Sequence, residues 1–203
     1  GDSGRKYPVM FWIYGGAFVS GSSSIDMYDG RNLCLNENIV IVTFNYRVGV
    51  LGFTDFSFLG EEFECNNGIA DQIAALKWVY ENIENFGGDP ENITIIGQSA
   101  GGHSVTTLLS IPEARKYISK AVAMSSYPAS IETKSSAQTV AEDFLNSAGI
   151  SLNDPDLLFK ISAKKLMKAS VKFADKVSAR GRNEFAFLPV IDGDILKSHP
   201  LHL

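Results

Sequence analysis

Ile93-Thr94-Ile95-Ile96-Gly97-Gln98-Ser99-Ala100-Gly101 is a β-branched run that breaks on a glycine, presents a serine, and passes a second glycine into a helix-compatible stretch. This strand–turn–helix order decides the fold. A serine held on so sharp a turn leaves no room for side chains two positions before and after it, and Gly97 and Gly101 supply that room. Strain of this kind costs about 1–3 kcal/mol and persists only where the surrounding fold enforces it. The spacing marks Ser99 as a candidate nucleophile on a nucleophile elbow.

Upstream, Pro8-Val9-Met10-Phe11-Trp12-Ile13-Tyr14 is continuously apolar and aromatic, which predicts a strand covered on both faces. It runs into Gly15-Gly16-Ala17-Phe18 and a loop at Gly21-Ser22-Ser23-Ser24. A short helix is expected over 28–35. Ile39-Val40-Ile41-Val42-Thr43-Phe44 predicts a second buried strand, β-branched at nearly every position. The stretch 47–67 reads as loop. Ile69, Ile73, Leu76, Trp78-Val79 and Ile83 recur near a 3.6 period and predict an amphipathic helix over 69–86, stopped by Gly87-Gly88-Asp89-Pro90. A helix over 99–110 and a strand at Lys120-Ala121-Val122-Ala123-Met124-Ser125 follow the elbow.

Strand and helix in alternation imply an α/β class, with a mostly parallel central sheet flanked by helices and right-handed crossovers. Beyond residue 130 the character changes. Helices are expected over 135–148 and 162–174, joined by Asn153-Asp154-Pro155-Asp156, with an apolar extended tail over 185–192. We read a single domain over 1–203, with a sheet core over 1–130 and a helical excursion over 131–184.

Composition narrows the function classes. The 203 residues are 45% hydrophobic and 20% charged, ordinary values for a globular domain. A net charge of −5 without a Lys/Arg cluster argues against a nucleic-acid partner. The longest apolar runs are strand-sized, so no transmembrane segment is expected. The opening Gly1-Asp2-Ser3-Gly4-Arg5-Lys6 is polar and turn-like, unlike a signal peptide, and a cytoplasmic location is favoured over export. Cys34 and Cys65 have no metal-ligand spacing; they read as two free buried thiols, with a disulfide between them as the alternative in an oxidising compartment. The sequon Asn92-Ile93-Thr94 opens the elbow strand, a poor glycosylation acceptor.

Attack by Ser99 on an acyl carbon places negative charge on the carbonyl oxygen. Backbone N–H groups aimed at that oxygen are preorganised donors, each worth roughly 2.7–4 kcal/mol of barrier. Ala100, the residue after the nucleophile, supplies one; the glycine-rich backbone at Gly15-Gly16-Ala17 is placed to supply the others. The two loops meet only if their strands are neighbours in one parallel sheet.

Several blocks together resemble the type-B carboxylesterases, the carboxylesterase/cholinesterase branch of the α/β-hydrolase fold. They are Trp12-Ile13-Tyr14-Gly15-Gly16-Ala17-Phe18, Asn45-Tyr46-Arg47-Val48-Gly49-Val50-Leu51-Gly52-Phe53, Gly68-Ile69-Ala70-Asp71-Gln72 and Ala75-Leu76-Lys77-Trp78-Val79. Asn82-Ile83, Phe86-Gly87-Gly88-Asp89-Pro90 and Gly97-Gln98-Ser99-Ala100-Gly101-Gly102 continue the match in the family's order. The wording is similar to that of the bacterial para-nitrobenzyl-esterase-like members. The resemblance implies a partial α/β-hydrolase fold and a serine carboxylic-ester hydrolase working through an acyl-enzyme on Ser99. It implies an oxyanion hole from the N–H groups of Gly16, Ala17 and Ala100, a small-molecule ester as substrate, and no cofactor. Arg47 and Asp71 match a pair that forms a buried structural salt bridge in relatives.

Two departures qualify it. Many relatives carry Glu before the serine, whereas Gln98 is neutral and weakens the case for a cationic, choline-type substrate. The family's triad acid and histidine lie well downstream of the serine, and no such motif follows Ser99 here. The chain therefore reads as an internal piece of a larger enzyme, its remaining triad members outside 1–203. An inactive fragment and a non-catalytic interaction member of the fold are the competing readings; a lipase or thioesterase is the alternative within the class.

Of the histidines, His103 is expected to pack in the core or on the surface, while His199 and His202, flanking Pro200, are expected in a solvated tail. None takes the base role, and their scatter suggests no metal site. Lys164-Lys165 and Lys168 read as a solvated helix face. Phe11, Trp12, Phe44 and Trp78 are expected in the core. Phe18, Phe53, Phe56 and Phe58 fall in loops that line an acyl or alcohol pocket, cap the core or lie exposed.

Overall fold

The computed structural model describes residues 4–179 and 185–202. The end of the predicted excursion, over 180–184, and the first three residues of the opening lie outside them. Four strands, β1 (Tyr7–Ile13), β2 (Val40–Thr43), β3 (Gly88–Gln98) and β4 (Lys120–Met124), form one sheet in the order β2-β1-β3-β4, every neighbouring pair parallel. Parallel neighbours need crossovers. These carry α1 (Arg31–Glu37) and α3 (Asn67–Asn82) before β3, and α4 (Ala100–Ser110) and α5 (Pro112–Arg115) before β4.

The apolar alternation of the central strands fills the core. Val9, Phe11 and Ile13 of β1 and Ile93 and Ile95 of β3 are almost completely buried, while Met10, Trp12, Thr94 and Ile96 on the other face are half-buried. The expectation of a strand covered on both faces thus holds fully on one. β2 is half-buried throughout rather than buried, because it borders the sheet among the described residues. β4 borders the other side and is exposed along its whole length, apolar though it is.

The predicted amphipathic helix forms as α3, with Ile69, Gln72, Leu76 and Val79 inward, followed by a 3-10 turn over Ile83–Phe86. Gly87 at φ 79° closes it in the left-handed region. β3 starts one residue later, so Asp89-Pro90 lies in the strand, beside a register shift against β1. Trp78 is a correction: it sits on the outer face at 52% exposure, leaning on Phe86 with ring centroids 6.2 Å apart.

The stretch read as loop over 47–67 contains the one-turn helix α2 (Val50–Phe53). After β4 come β5 (Glu132–Thr133), α6 (Lys134–Ala148), α7 (Leu157–Lys160), α8 (Ala163–Ser178) and β6 (Val190–Ile191). Thr133 caps α6 by accepting the Ser136 N–H at 3.2 Å, and Gly149 ends it at φ 69°. α8 is strongly amphipathic: Leu166, Ser170 and Phe173 are buried, and Lys164, Lys165 and Lys168 are exposed as expected. The apolar tail returns as β6, which pairs in parallel with β5.

The return is clamped from a distance. Asn66, buried and at φ 56°, donates to the Val190 carbonyl at 2.8 Å and to Asp192 Oδ2 at 2.7 Å, and accepts the Val190 N–H at 2.8 Å. Ser170 Oγ likewise accepts the Val50 N–H at 3.1 Å and ties α8 to α2.

Candidate active site

β1 and β3 are adjacent and in register, with Ile13 opposite Gly97. Each strand's following loop therefore emerges at the same end of the sheet, side by side. Ser99 stands at the elbow with φ 56° and ψ −121°, a conformation L-residues rarely adopt. Its N–H donates to the Met124 carbonyl at the end of β4 (2.9 Å), and its own carbonyl accepts the His103 N–H (2.8 Å), starting α4. The elbow is thus fixed on both sides by backbone bonds.

Close backbone approach explains the flanking glycines. A Cβ on Gly101 would lie 2.0 Å from the Ile13 carbonyl oxygen, and one on Gly97 would lie 2.2 Å from the Gly101 carbonyl oxygen. Neither site has flexible atoms that can move aside, so the helix seats on β1 only with glycine there.

The second loop arrives at the same point. A Cβ on Gly15 would lie 2.6 Å from the Gln98 carbonyl oxygen and 3.3 Å from Ser99 Cβ. Two segments more than eighty residues apart in sequence touch at the candidate nucleophile. Beyond Gly15 the chain runs through three consecutive positive φ angles, Gly16 at 124°, Ala17 at 54° and Phe18 at 59°. This tight turn is closed by the Val19 and Ser20 N–H groups donating to the Gly16 carbonyl at 2.9 and 3.2 Å. The N–H groups of Gly16, Ala17 and Ala100 have no hydrogen-bond partner among the described residues. Ala100 is the first residue of α4, where the N–H has no intrahelical acceptor and stays free to donate to one from a ligand.

The rest of the site is scaffold. Tyr14 and Tyr46 stack at 4.4 Å and exchange hydrogen bonds: Tyr14 Oη donates to the Tyr46 carbonyl at 3.1 Å and accepts the Tyr46 N–H at 3.2 Å, while Tyr46 Oη donates to the Tyr14 carbonyl at 2.7 Å. This clamp joins the end of β1 to the segment after β2. Phe18 is buried against Phe53 (4.4 Å) and His103 (5.4 Å), and its carbonyl accepts the Gly49 N–H at 2.5 Å. Phe18, Phe53 and Phe56 are core-capping, and Phe58 is half-buried. Gln72 Nε2 donates to Ser104 Oγ at 3.0 Å, a buried bond between α3 and α4.

Arg47 and Asp71 pair as expected, Nε to Oδ2 and Nη2 to Oδ1, both at 2.8 Å, with the Arg47 N–H adding a bond to Oδ2 at 2.9 Å. The pair is not buried: the side chains are 49% and 26% exposed. Hydrogen bonding to Asp71 holds the guanidinium pKa above its ordinary value.

His103 is in the core at 2% exposure, and burial, with a smaller push from His199, lowers its pKa to about 4. His202 is exposed as expected. His199 is half-buried rather than solvated, with Nδ1 accepting the Leu201 N–H at 3.2 Å. Cys34 and Cys65 are free and half-buried, and burial pushes the Cys65 thiol up. Asn92 lies within β3, its Oδ1 accepting from Lys120 Nζ at 2.6 Å. Among the described residues no His/Cys/Asp/Glu cluster is arranged to hold a metal, and no helix is long and apolar enough to cross a membrane.

The likeness to known proteins agrees with this geometry. The model of the carboxylesterase family matches residues 1–203. The chain is 40% identical over 198 residues to para-nitrobenzyl esterase of Bacillus subtilis, covering 97% of this chain and 40% of that protein. It is 38% identical over 201 residues to acetylcholinesterase of Electrophorus electricus, covering 95% of this chain and 31% of that one. Among solved structures, a PNB esterase superposes with a TM-score of 0.87 at 39% identity over 98% of this chain and 42% of that chain. The Geobacillus stearothermophilus carboxylesterase EST55 gives 0.87 at 41% identity with the same coverage of each chain. The chain thus spans about two fifths of the length of the bacterial relatives it matches. A matched family model, a shared α/β-hydrolase sheet and an elbow serine meeting a glycine loop lead to one conclusion: this chain belongs to the carboxylesterase family.

Proposed function

We propose that the protein carrying this chain hydrolyses carboxylic esters through an acyl-enzyme on Ser99. The supporting observation is the approach of Gly15 to within van der Waals reach of Ser99, so that the loop carrying Gly16 and Ala17 and the elbow meet at the candidate nucleophile.

In this reading Ser99 Oγ attacks the ester carbonyl carbon and passes its proton to a histidine. The carbonyl π pair moves onto oxygen, and the N–H groups of Gly16, Ala17 and Ala100 receive the charge. Collapse of the tetrahedral intermediate expels the alkoxide, which takes the proton from the histidine. Water, activated by the same histidine, then releases the acid. The histidine and its orienting carboxylate belong to parts of the protein outside 1–203, and the chain forms part of a single catalytic domain. His103 is buried with its pKa lowered to about 4, and its place on α4 suits packing rather than proton transfer. Neutral Gln98 beside the serine favours esters of uncharged alcohols, in keeping with a relative named for a para-nitrobenzyl ester.

Hydrolysis of para-nitrophenyl esters by the whole protein, wild type against Ser99→Ala, tests this. The expected loss is on the order of 10⁴-fold or more in kcat with the fold retained. Turnover that survives the substitution would place the nucleophile elsewhere.

A further inference from the structure

The loop after β1 stores strain that something must hold. Gly16, Ala17 and Phe18 are consecutive at φ 124°, 54° and 59°, and two of the three are not glycine. There the Cβ of a non-glycine residue crowds the following carbonyl oxygen, so L-residues adopt the region at a steric cost. Such a run relaxes unless its neighbours over-determine it. The turn bonds onto the Gly16 carbonyl and the Gly49 N–H bond to the Phe18 carbonyl supply part of the restraint. The remainder is the Phe18 ring, locked against Phe53 at 4.4 Å and against the edge of His103 at 5.4 Å.

His103 differs from Phe53 in where it comes from. It sits one helical turn beyond Ser99, and its own N–H is the first to close on the Ser99 carbonyl. Among the described residues it is the one α4 side chain in ring contact with Phe18. Among the described residues its buried Nε2 has no hydrogen-bond partner.

We infer that His103 is a positioning residue: its neutral ring seats Phe18 and thereby holds the Gly16 and Ala17 N–H groups against the elbow that carries Ser99. The inference rests on the esterase reading for its effect on rate, and on packing alone for its effect on the loop. The ring acts only while uncharged. Among the described residues His199 is the titratable group that acts on it, and it opposes protonation, as burial does.

The test compares wild type, His103→Ala and His103→Met in the whole protein. Met restores volume without charge; Ala removes the seat. Para-nitrophenyl ester kinetics at pH 8 should show kcat down about 10–100-fold in the Ala variant with KM within about threefold, and Met within about threefold of wild type on both. Hydrogen exchange should rise for the Val19, Ser20 and Gly49 N–H groups in the Ala variant and stay near wild type in the Met variant. An Ala variant with unchanged kcat and unchanged exchange overturns the inference. So does a Met variant as impaired as Ala, because the seat would then need the imidazole itself. A fall in KM affinity and Tm with kcat intact reduces His103 to core filling and also overturns it. A wild-type protein without turnover overturns the esterase reading instead, and the exchange data then decide the role of His103 alone.

Discussion

The two central strands and the two bordering strands are built from similar residues and are buried to different degrees. β3 reads Ile93-Thr94-Ile95-Ile96 and buries Ile93 and Ile95 completely, whereas β4 reads Ala121-Val122-Ala123-Met124 and is exposed throughout. Among the described residues β1 and β3 each have a hydrogen-bonded neighbour on both sides, and β2 and β4 have one. The candidate site stands at the ends of the doubly paired strands, where backbone positions are fixed from both sides. Strain at Ser99 and along 16–18 is tolerable there because the neighbours hold it. Among the described residues β2 is half-buried, with Val40 and Val42 packed on the core, whereas the apolar residues of β4 bury little surface.

The sharpest way to break the contrast is at its centre. Gly101→Ala forces a Cβ against the Ile13 carbonyl oxygen, backbone on backbone, so α4 and with it Ser99 must shift. A displacement near 1 Å predicts about a 100-fold loss of esterase kcat. Full activity in this variant would mean the elbow does not seat on β1 as described.

Next come the strands themselves. Ile95→Ala, at 0% exposure, should cost about 2–5 kcal/mol in urea unfolding, while Val122→Ala, at 43% exposure, should stay within about 0.5 kcal/mol. Equal costs at the two sites would erase the distinction between centre and border, or show that β4 is covered in the whole protein.

Acid sharpens it further. The His103 pKa falls from 6.5 unfolded to about 4 folded, so the unfolded chain binds the proton more readily between those values. Stability is fully present above the upper value and is lost as pH falls toward the lower one, by about 3 kcal/mol. His103→Met should flatten that part of the stability–pH curve. A Met variant with the wild-type slope would assign the loss to other groups.

The smallest effect is expected at Arg47 and Asp71. Their bidentate geometry is good but the pair is half-exposed, so Asp71→Asn should cost about 1 kcal/mol, less in high salt. A cost near 4 kcal/mol would indicate a pair shielded from solvent in the whole protein.

How much of this was legible before folding follows the same divide. The elbow was legible because its constraint is local: strand, glycine, serine and glycine are consecutive, and steric reasoning fixes their order. The parallel sheet was legible from the alternation of short apolar runs with helical periods. The meeting of Gly15 with Ser99 was legible only as a condition on strand adjacency, which the β1–β3 pairing fulfils. Trp78 misled because a tryptophan at a helical interval reads as core, yet α3 is flanked closely enough to seal only the face of Ile69, Leu76 and Val79. The exposure of β4 was hidden because apolar composition reports what a strand can bury and says nothing of whether a neighbour is present. The Tyr14–Tyr46 clamp, the Asn66 clamp on β6 and the contact of His103 with Phe18 left no signal, since each joins residues far apart through side-chain geometry.

Reaction of the whole protein with a fluorophosphonate, read by intact mass and peptide mapping, tests the central claim most directly. The account predicts one adduct per chain, on the peptide bearing Ser99, absent in Ser99→Ala and slowed about 100-fold in Gly101→Ala. A folded protein that takes up no label, or takes it up on another residue, would contradict it.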